Sequence, residues 1–325
     1  MNHPLDPIAR IGVPATAPTL YFIGVTTGKS SIMKVFPAWA RHLGLKDAVI
    51  KGIDFPLHAD PAAYRDAVAF IKQDPLSLGA LVTTHKIDLY HACRDLFDDV
   101  DPHALLMGET SCLSKRGGRL VCHAKDPISS GLALEGFLPA GHFAKTGATL
   151  FSMGAGGSTI ALTWYLLRPE RGANRPSRIV ISDRSRRRLD EIRRIHGELG
   201  TDVPIEYVVA EHAGDNDTVL AGLKPGSLVI NATGLGKDAP GSPLTDAASF
   251  PDRAIVWDLN YRGDLVFLDH ARRQRAPRNL QIEDGWIYFI HGWTRVIAEV
   301  FDVTIPTAGP DFDALAAIAA QAGAR

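Results

Sequence analysis

Four groups of residues in this sequence have types and spacing that could do chemistry. The run Leu150-Phe151-Ser152-Met153 leads into Gly154-Ala155-Gly156-Gly157-Ser158, and residues 160–167 are again mostly apolar. That order reads as strand, glycine turn and helix. Glycines let a backbone turn sharply and approach a ligand, and the free amides of a helix N-terminus favour a pyrophosphate. Such turns also serve simply to pack a strand on a helix, so the motif needs company. Asp183 closes the next apolar run, directly before Arg184-Ser185-Arg186-Arg187-Arg188. A carboxylate at that strand end suits a ribose 2′-hydroxyl, whereas arginine there suits a 2′-phosphate. Asn231-Ala232-Thr233-Gly234 ends a later strand and could hold the nicotinamide half of a dinucleotide. In the first half, Lys29-Ser30, Thr84-His85-Lys86 and the stretch 121–126 ending at Asp126 place charged and hydroxyl groups after predicted strands. Any one of these charges alone is what a solvated loop carries. Three clusters at strand ends describe a ligand site.

The elements that must position them follow a βα rhythm. Strands are expected at 19–25, 48–53 and 79–84, the last running to His85-Lys86. Helices are expected at 31–43, with Met33, Phe36, Trp39 and Ala40 on one face, and from Asp60-Pro61 onward. A hairpin 110–113/119–122 turns at Gly117-Gly118, and a helix spans 129–137. This order implies an open α/β sheet with ligands beyond the carboxyl ends of its strands. Further strands at 177–183, 205–209, 227–231, 254–259 and 280–282 surround the glycine turn, and a helix runs from about 288 to 300. The second half is thus a doubly wound nucleotide fold.

At 325 residues the chain is long for one hydrophobic core, so two lobes are expected. The divisions fall at 1–128 for substrate binding and catalysis, 129–284 for the nucleotide, and 285–325 for helices returning to the first lobe. Hydrophobic residues at 46% and charged residues at 22% describe an ordinary globular protein. A net charge of −1 gives no pull toward nucleic acid or an anionic membrane. The three cysteines lack C-x-x-C spacing, so neither a disulfide framework nor a metal site is expected. No signal peptide or membrane-spanning run stands out, and a cytoplasmic location is expected.

Several of these motifs, taken in order, resemble the shikimate/quinate dehydrogenase family over roughly residues 20–302. The family pattern S-K-S-P is similar to Gly28-Lys29-Ser30-Ser31, and N-V-T-x-P-x-K to Ala80-Leu81-Val82-Thr83-Thr84-His85-Lys86. G-A-V-N-T-L is similar to Gly108-Glu109-Thr110-Ser111-Cys112-Leu113. G-x-N-T-D-x-x-G resembles 122–131, with Asp126 on the aspartate. G-A-G-G matches 154–157, N-R-T-x-x-R resembles 183–188, I-N-A-T matches 230–233, D-x-x-Y matches 258–261, and the D-G pair matches Asp284-Gly285. The departures concentrate on the substrate side. The family's asparagines fall on Ala80 and Ser111, its threonine on Val82, a serine on Gly28 and a glutamine on Gly292.

The resemblance implies an NAD(P)-dependent oxidoreductase interconverting a secondary alcohol and a ketone. Its substrate would be a small polyol or cyclic hydroxy acid other than shikimate. It makes Lys86 and Asp126 the catalytic pair, since a lysine beside an aspartate can hold a hydroxyl and relay its proton. It places Lys29, Ser30, Thr84, Ser111 and Tyr261 on the substrate. Gly154, Ala155, Gly156, Gly157, Ser158, Asp183, Arg184, Ser185, Arg188, Asn231, Ala232, Thr233 and Gly234 fall to the cofactor. Asp183 favours NAD and the arginines NADP, with the balance of charge leaning to NADP. Trp286, Tyr288 and Trp293 are candidates to line the site or to form core. A homodimer is compatible with the sequence. A ligand-sensing homologue without activity and a folate- or pterin-linked methylene dehydrogenase are the alternatives.

Overall fold

The described residues of the computed structural model are 8–237 and 239–323. Tertiary contacts divide the chain into two units, Met1–Lys125 with Gly292–Arg325, and Asp126–His291. The first unit begins with β1 (Thr19–Gly24), α1 (Ile32–His42), β2 (Val49–Asp54), α2 (Pro61–Gln73), β3 (Ser77–Val82) and α3 (Lys86–Cys93). It continues with β4 (Asp99–Val100), α4 (Pro102–Met107), β5 (Cys112–Arg116) and β6 (Arg119–His123). Its six strands run in the order β2-β1-β3-β5-β6-β4. β1 lies parallel between β2 and β3, and all six of its residues are buried, as a parallel strand covered on both faces requires. One face packs Tyr64, Val68, Ile71 and Leu89 over Ile23, Ala80 and Val82. α2 starts where expected, because Asp60 accepts a bond from the Ala62 amide and Pro61 needs no partner there.

Two expectations shift. β3 stops at Val82 instead of running to Lys86, because Thr84 adopts φ +55 and breaks the extended run. The first strand of the hairpin starts two residues later than expected and runs to Arg116, while the turn and the start of the second strand stand where expected. Gly117 and Gly118 both have positive φ (+55 and +79), which builds a two-residue turn that pairs Arg116 directly with Arg119.

The second unit holds α5 (Asp126–Phe137), α6 (His142–Thr146), β7 (Leu150–Met153), α7 (Gly157–Leu167), β8 (Ile179–Asp183), α8 (Arg186–Leu199) and β9 (Ile205–Val209). After these come α9 (Ala213–Ala221), β10 (Leu228–Asn231), β11 (Ile255–Asp258), α10 (Val266–Arg278) and β12 (Gln281–Glu283). α11 (Trp286–Phe301) crosses the division between the units, and α12 (Pro310–Ala322) belongs to the first. There α1 is tied to α12 by the Trp39 indole, which donates to the Leu315 carbonyl at 2.8 Å. The second sheet is wholly parallel in the order β12-β11-β10-β7-β8-β9. That is the doubly wound, Rossmann-like order, reversing between β7 and β10. α5 begins three residues earlier than expected, at Asp126, and α7 begins inside the glycine turn. No helix among the described residues is long and apolar enough to cross a membrane.

Candidate active site

In a doubly wound sheet the ligand crevice opens where the strand order reverses, and here the turns after β7 and β10 meet. Gly154 has φ +101, and a Cβ on it would lie 2.7 Å from the Ala232 carbonyl oxygen. Only glycine fits both the dihedral and the approach. The Asn231 side chain shapes the second turn. Its oxygen accepts from the Thr233 amide (3.1 Å) and hydroxyl (2.7 Å), and its amide donates to Asp258 (3.1 Å). Ala232 and Gly234 are half-buried beside it, and Thr233 is exposed. Burial pushes the Asp258 carboxyl up to about 6, against bonds from Asn260 and Asn231 that lower it.

The glycine turn leaves α7 uncapped: Gly156 precedes the helix and no side chain bonds its first amides. Gly157 and Ser158 form the half-buried first turn. Asp183 ties this turn to β8. One carboxylate oxygen accepts from the Ala155 amide at 2.8 Å, the other from the Ser185 amide at 2.7 Å. Ser185 in turn caps α8 through the Arg188 amide. The Arg188 guanidinium lies 3.5 Å from where a Gly156 Cβ would stand. Arg184, Arg186, Arg187 and Arg188 are all exposed, and among the described residues none pairs with a carboxylate. Free helix amides with an arginine over them suit a phosphate group.

On the first sheet, the carboxyl ends of β1 and β3 lie side by side. Ser30 is half-buried at the end of a short 3-10 turn, Thr27–Lys29, and Lys29 is exposed. Asp54 fixes that turn by accepting from the Thr27 amide (2.8 Å) and hydroxyl (2.5 Å). Lys86 is the first residue of α3 and is half-buried. It follows Thr84, an exposed β-branched residue in the left-handed region, and His85, which is buried with Nδ1 2.9 Å from the Tyr64 hydroxyl. Burial lowers the His85 pKa. Because β5 is antiparallel to β3 and β6 to β5, the start of β5 and the end of β6 reach the same edge. Ser111 is buried there, its hydroxyl accepting from the Lys125 amide at 2.7 Å. The chain passes from Lys125 to Asp126, which is 9% exposed and opens α5.

The structure therefore brings Ser30, Thr84, Lys86 and Ser111 to one edge, and gathers Gly154–Ser158, Asp183–Arg188 and Asn231–Gly234 on the other sheet's ligand edge. Tyr261 sits three residues beyond β11, its ring against Phe289 (4.6 Å) and Trp286 (5.5 Å). Trp293 is core, edge-on to Phe22 at 5.0 Å, and Tyr288 faces Trp257. Sequence reasoning missed Lys125 and Glu299, whose 2.8 Å ion pair joins residues 174 apart. No local pattern could have paired them. Among the described residues, no group of three or more His, Cys, Asp and Glu could hold a metal.

No family model matches the chain. It is 25% identical over 189 residues to the shikimate dehydrogenase (NADP(+)) of Lactococcus lactis subsp. cremoris, covering 58% of this chain and 61% of that protein. The matched stretch spans about three-fifths of the length of the curated relatives. Over that stretch the chain is similar in sequence to shikimate dehydrogenases. Two solved structures share the fold. Quinate dehydrogenase from Corynebacterium glutamicum, in complex with NAD, has a TM-score of 0.69 at 20% identity, covering 93% of this chain and 98% of that one. The ligand-free 5-ketofructose reductase of Gluconobacter sp. has a TM-score of 0.66 at 19% identity, covering 95% and 98%. Against the family pattern, one departure has a backbone consequence. Thr84 stands where the pattern has proline, and a proline ring could not take φ +55.

Proposed function

We propose that this chain is an NAD(P)-dependent oxidoreductase that interconverts a secondary alcohol and a ketone on a small cyclic polyol or hydroxy acid other than shikimate. The observation that carries the reading is the meeting of the Gly154 and Ala232 turns where the sheet order reverses, with uncapped helix amides and Arg188 beside them. The cofactor would supply the hydride chemistry. Lys86 would hold the reacting hydroxyl and move its proton, with Asp126 orienting the lysine. Lys29, Ser30, Thr84 and Tyr261 would contact the rest of the substrate.

Four observations turn the reading away from shikimate. Ala80 and Val82 are fully buried and carry no polar group. The Ser111 hydroxyl is already engaged by the Lys125 amide. Gly292 offers no side chain, and a Cβ there would meet nothing within 4 Å. Each polar group of a ligand left without its partner costs roughly 1–3 kcal/mol. For the cofactor, both oxygens of Asp183 are taken by amides while four arginines stand unpaired, which supports NADP over NAD.

The test has two stages. NADPH and NADH are titrated by their fluorescence, then a panel of cyclic polyols and hydroxy acids is followed at the reduced-nicotinamide absorbance band, with wild type and Lys86→Met. Tighter NADPH than NADH binding and a loss of at least ~10² in turnover for the variant are expected. Binding of neither cofactor, near-normal turnover by Lys86→Met, or robust shikimate oxidation each defeats part of the reading.

A further inference from the structure

The ligand edge of the second sheet holds one buried charge that the chemistry so far leaves unused. Asn231 and Asp258 are paired residues at the carboxyl ends of the parallel strands β10 and β11. Asp258 therefore stands beside the turn assigned to the nicotinamide half of the cofactor, and it is fully buried. One carboxylate oxygen accepts from the Asn260 amide at 2.9 Å, the other from the Asn231 side chain at 3.1 Å. Among the described residues no lysine, arginine or histidine forms an ion pair with it.

The carboxylate is also fixed in place. The Asn231 side chain that donates to it accepts from the Thr233 amide and hydroxyl, the bonds that shape the turn. The Asn231 and Asn260 side chains both donate to the Leu235 carbonyl, at 3.3 Å and 3.2 Å. From the connection after the neighbouring β12, the Gly285 amide donates to the Asn260 carbonyl at 3.0 Å. The partners of Asp258 are thus neutral amides. The charged group that acts on it most is Asp284, also after β12, and it has the same sign.

A charge that water does not reach and no cation neutralises is felt over several ångströms. The oxidised nicotinamide ring is cationic and the reduced ring neutral, so a fixed anion beside the site distinguishes them. We propose that the buried Asp258 carboxylate shifts binding toward the oxidised form of the cofactor, and so biases the bound pair toward ketone reduction. In that exchange a hydride and a proton pass to the ketone, leaving the alcohol and the cationic ring that the carboxylate favours. The inference rests on the oxidoreductase reading, with the turn after β10 holding the nicotinamide.

The experiment is isothermal titration calorimetry of NADP+ and NADPH at pH values on both sides of the Asp258 titration, which burial places at about 6. NAD+ and NADH take their place if they bind more tightly. Wild type, Asp258→Asn and Asp284→Asn are compared. The readout is the Kd of the reduced form divided by that of the oxidised form, because the phosphates are common to both and cancel. As pH rises and Asp258 ionises, the wild-type ratio should rise about tenfold, the scale for unit charges about 10 Å apart at an effective dielectric constant near 20. Asp258→Asn keeps the size of the side chain without the charge, and should hold the ratio within about twofold of the wild-type value at low pH. Asp284→Asn should keep the rise. A wild-type ratio that is flat or falls, a rise that survives in Asp258→Asn, or its loss in Asp284→Asn would overturn the inference. Should Asp258→Asn not fold, the wild type and Asp284→Asn still decide, since both must show the rise. Binding of no nicotinamide nucleotide at all sinks the oxidoreductase reading, whereas binding with a flat ratio sinks this inference alone.

Discussion

Replacing Gly154 with alanine should destabilise the second unit by about 2–5 kcal/mol, and the size follows from two separable costs. The residue has φ +101, where an L side chain is strained by roughly 1–2 kcal/mol. The added methyl would also lie 2.7 Å and 2.8 Å from the Ala232 carbonyl atoms and 3.1 Å from the Thr233 nitrogen. Those atoms are backbone and cannot swing aside, so the turn after β10 must shift, at about 1–3 kcal/mol for such overpacking. Gly147 is the control. It has φ +58 with no atom within 4 Å of its Cβ position, so Gly147→Ala bears only the first cost. Urea unfolding of the wild type and both variants, compared at constant m, measures the difference. The displaced turn is the one assigned to the cofactor, so Gly154→Ala should also weaken NADPH binding while Gly147→Ala does not. Equal destabilisation by the two variants, with NADPH binding unchanged in both, would refute the close approach of the turns.

Three further outcomes are expected. Burial raises Asp258 to about 6 from an ordinary value near 4, so the folded protein holds this proton more tightly than the unfolded chain. Its stabilising share is fully present below about pH 4 and is lost as pH rises through 6, roughly 3 kcal/mol in all. Urea midpoints from pH 4 to 7.5 should show that slope in wild type and not in Asp258→Asn; parallel curves would contradict it. Thr84→Pro places a residue with φ near −65° where the chain has +55, so a loss of about 2–3 kcal/mol in thermal unfolding is expected, with turnover falling as the start of α3 moves. An unchanged Tm would mean the turn tolerates either conformation. The Lys125–Glu299 pair is 2.8 Å apart at 14% and 26% exposure. A double-mutant cycle with Lys125→Met and Glu299→Gln should give a coupling of about 1–2 kcal/mol, and zero coupling would reduce it to a surface contact.

Local chemistry made much of this protein readable from its residues alone. A glycine at 154 is demanded by a dihedral and a contact that no side chain survives, so the turn announces itself. Asp60-Pro61 starts α2 because a cap and a missing amide act within three residues. Apolar runs bounded by polar turns marked β1, β7, β8, β10 and β11 closely, because a strand buried on both faces has little other way to be written. α3 was not legible, since Lys86-Ile87-Asp88-Leu89-Tyr90-His91-Ala92-Cys93 has no apolar stripe of helical period and follows a strained threonine. The role of Asp183 was legible only as two alternatives. Its carboxylate answers to the Ala155 amide 28 residues away, a contact that exists only once β7 and β8 are neighbours. The bond from the Lys125 amide to the Ser111 hydroxyl, 14 residues apart, likewise appears only in the fold. The contact of Tyr261 with Phe289 and the pairing of Lys125 with Glu299 belong to the same class. Residue type and spacing determine which turns, caps and strands can form. Which polar atoms satisfy one another, and which remain for a ligand, is decided by the strand order, because only the folded sheets bring those distant atoms within bonding range.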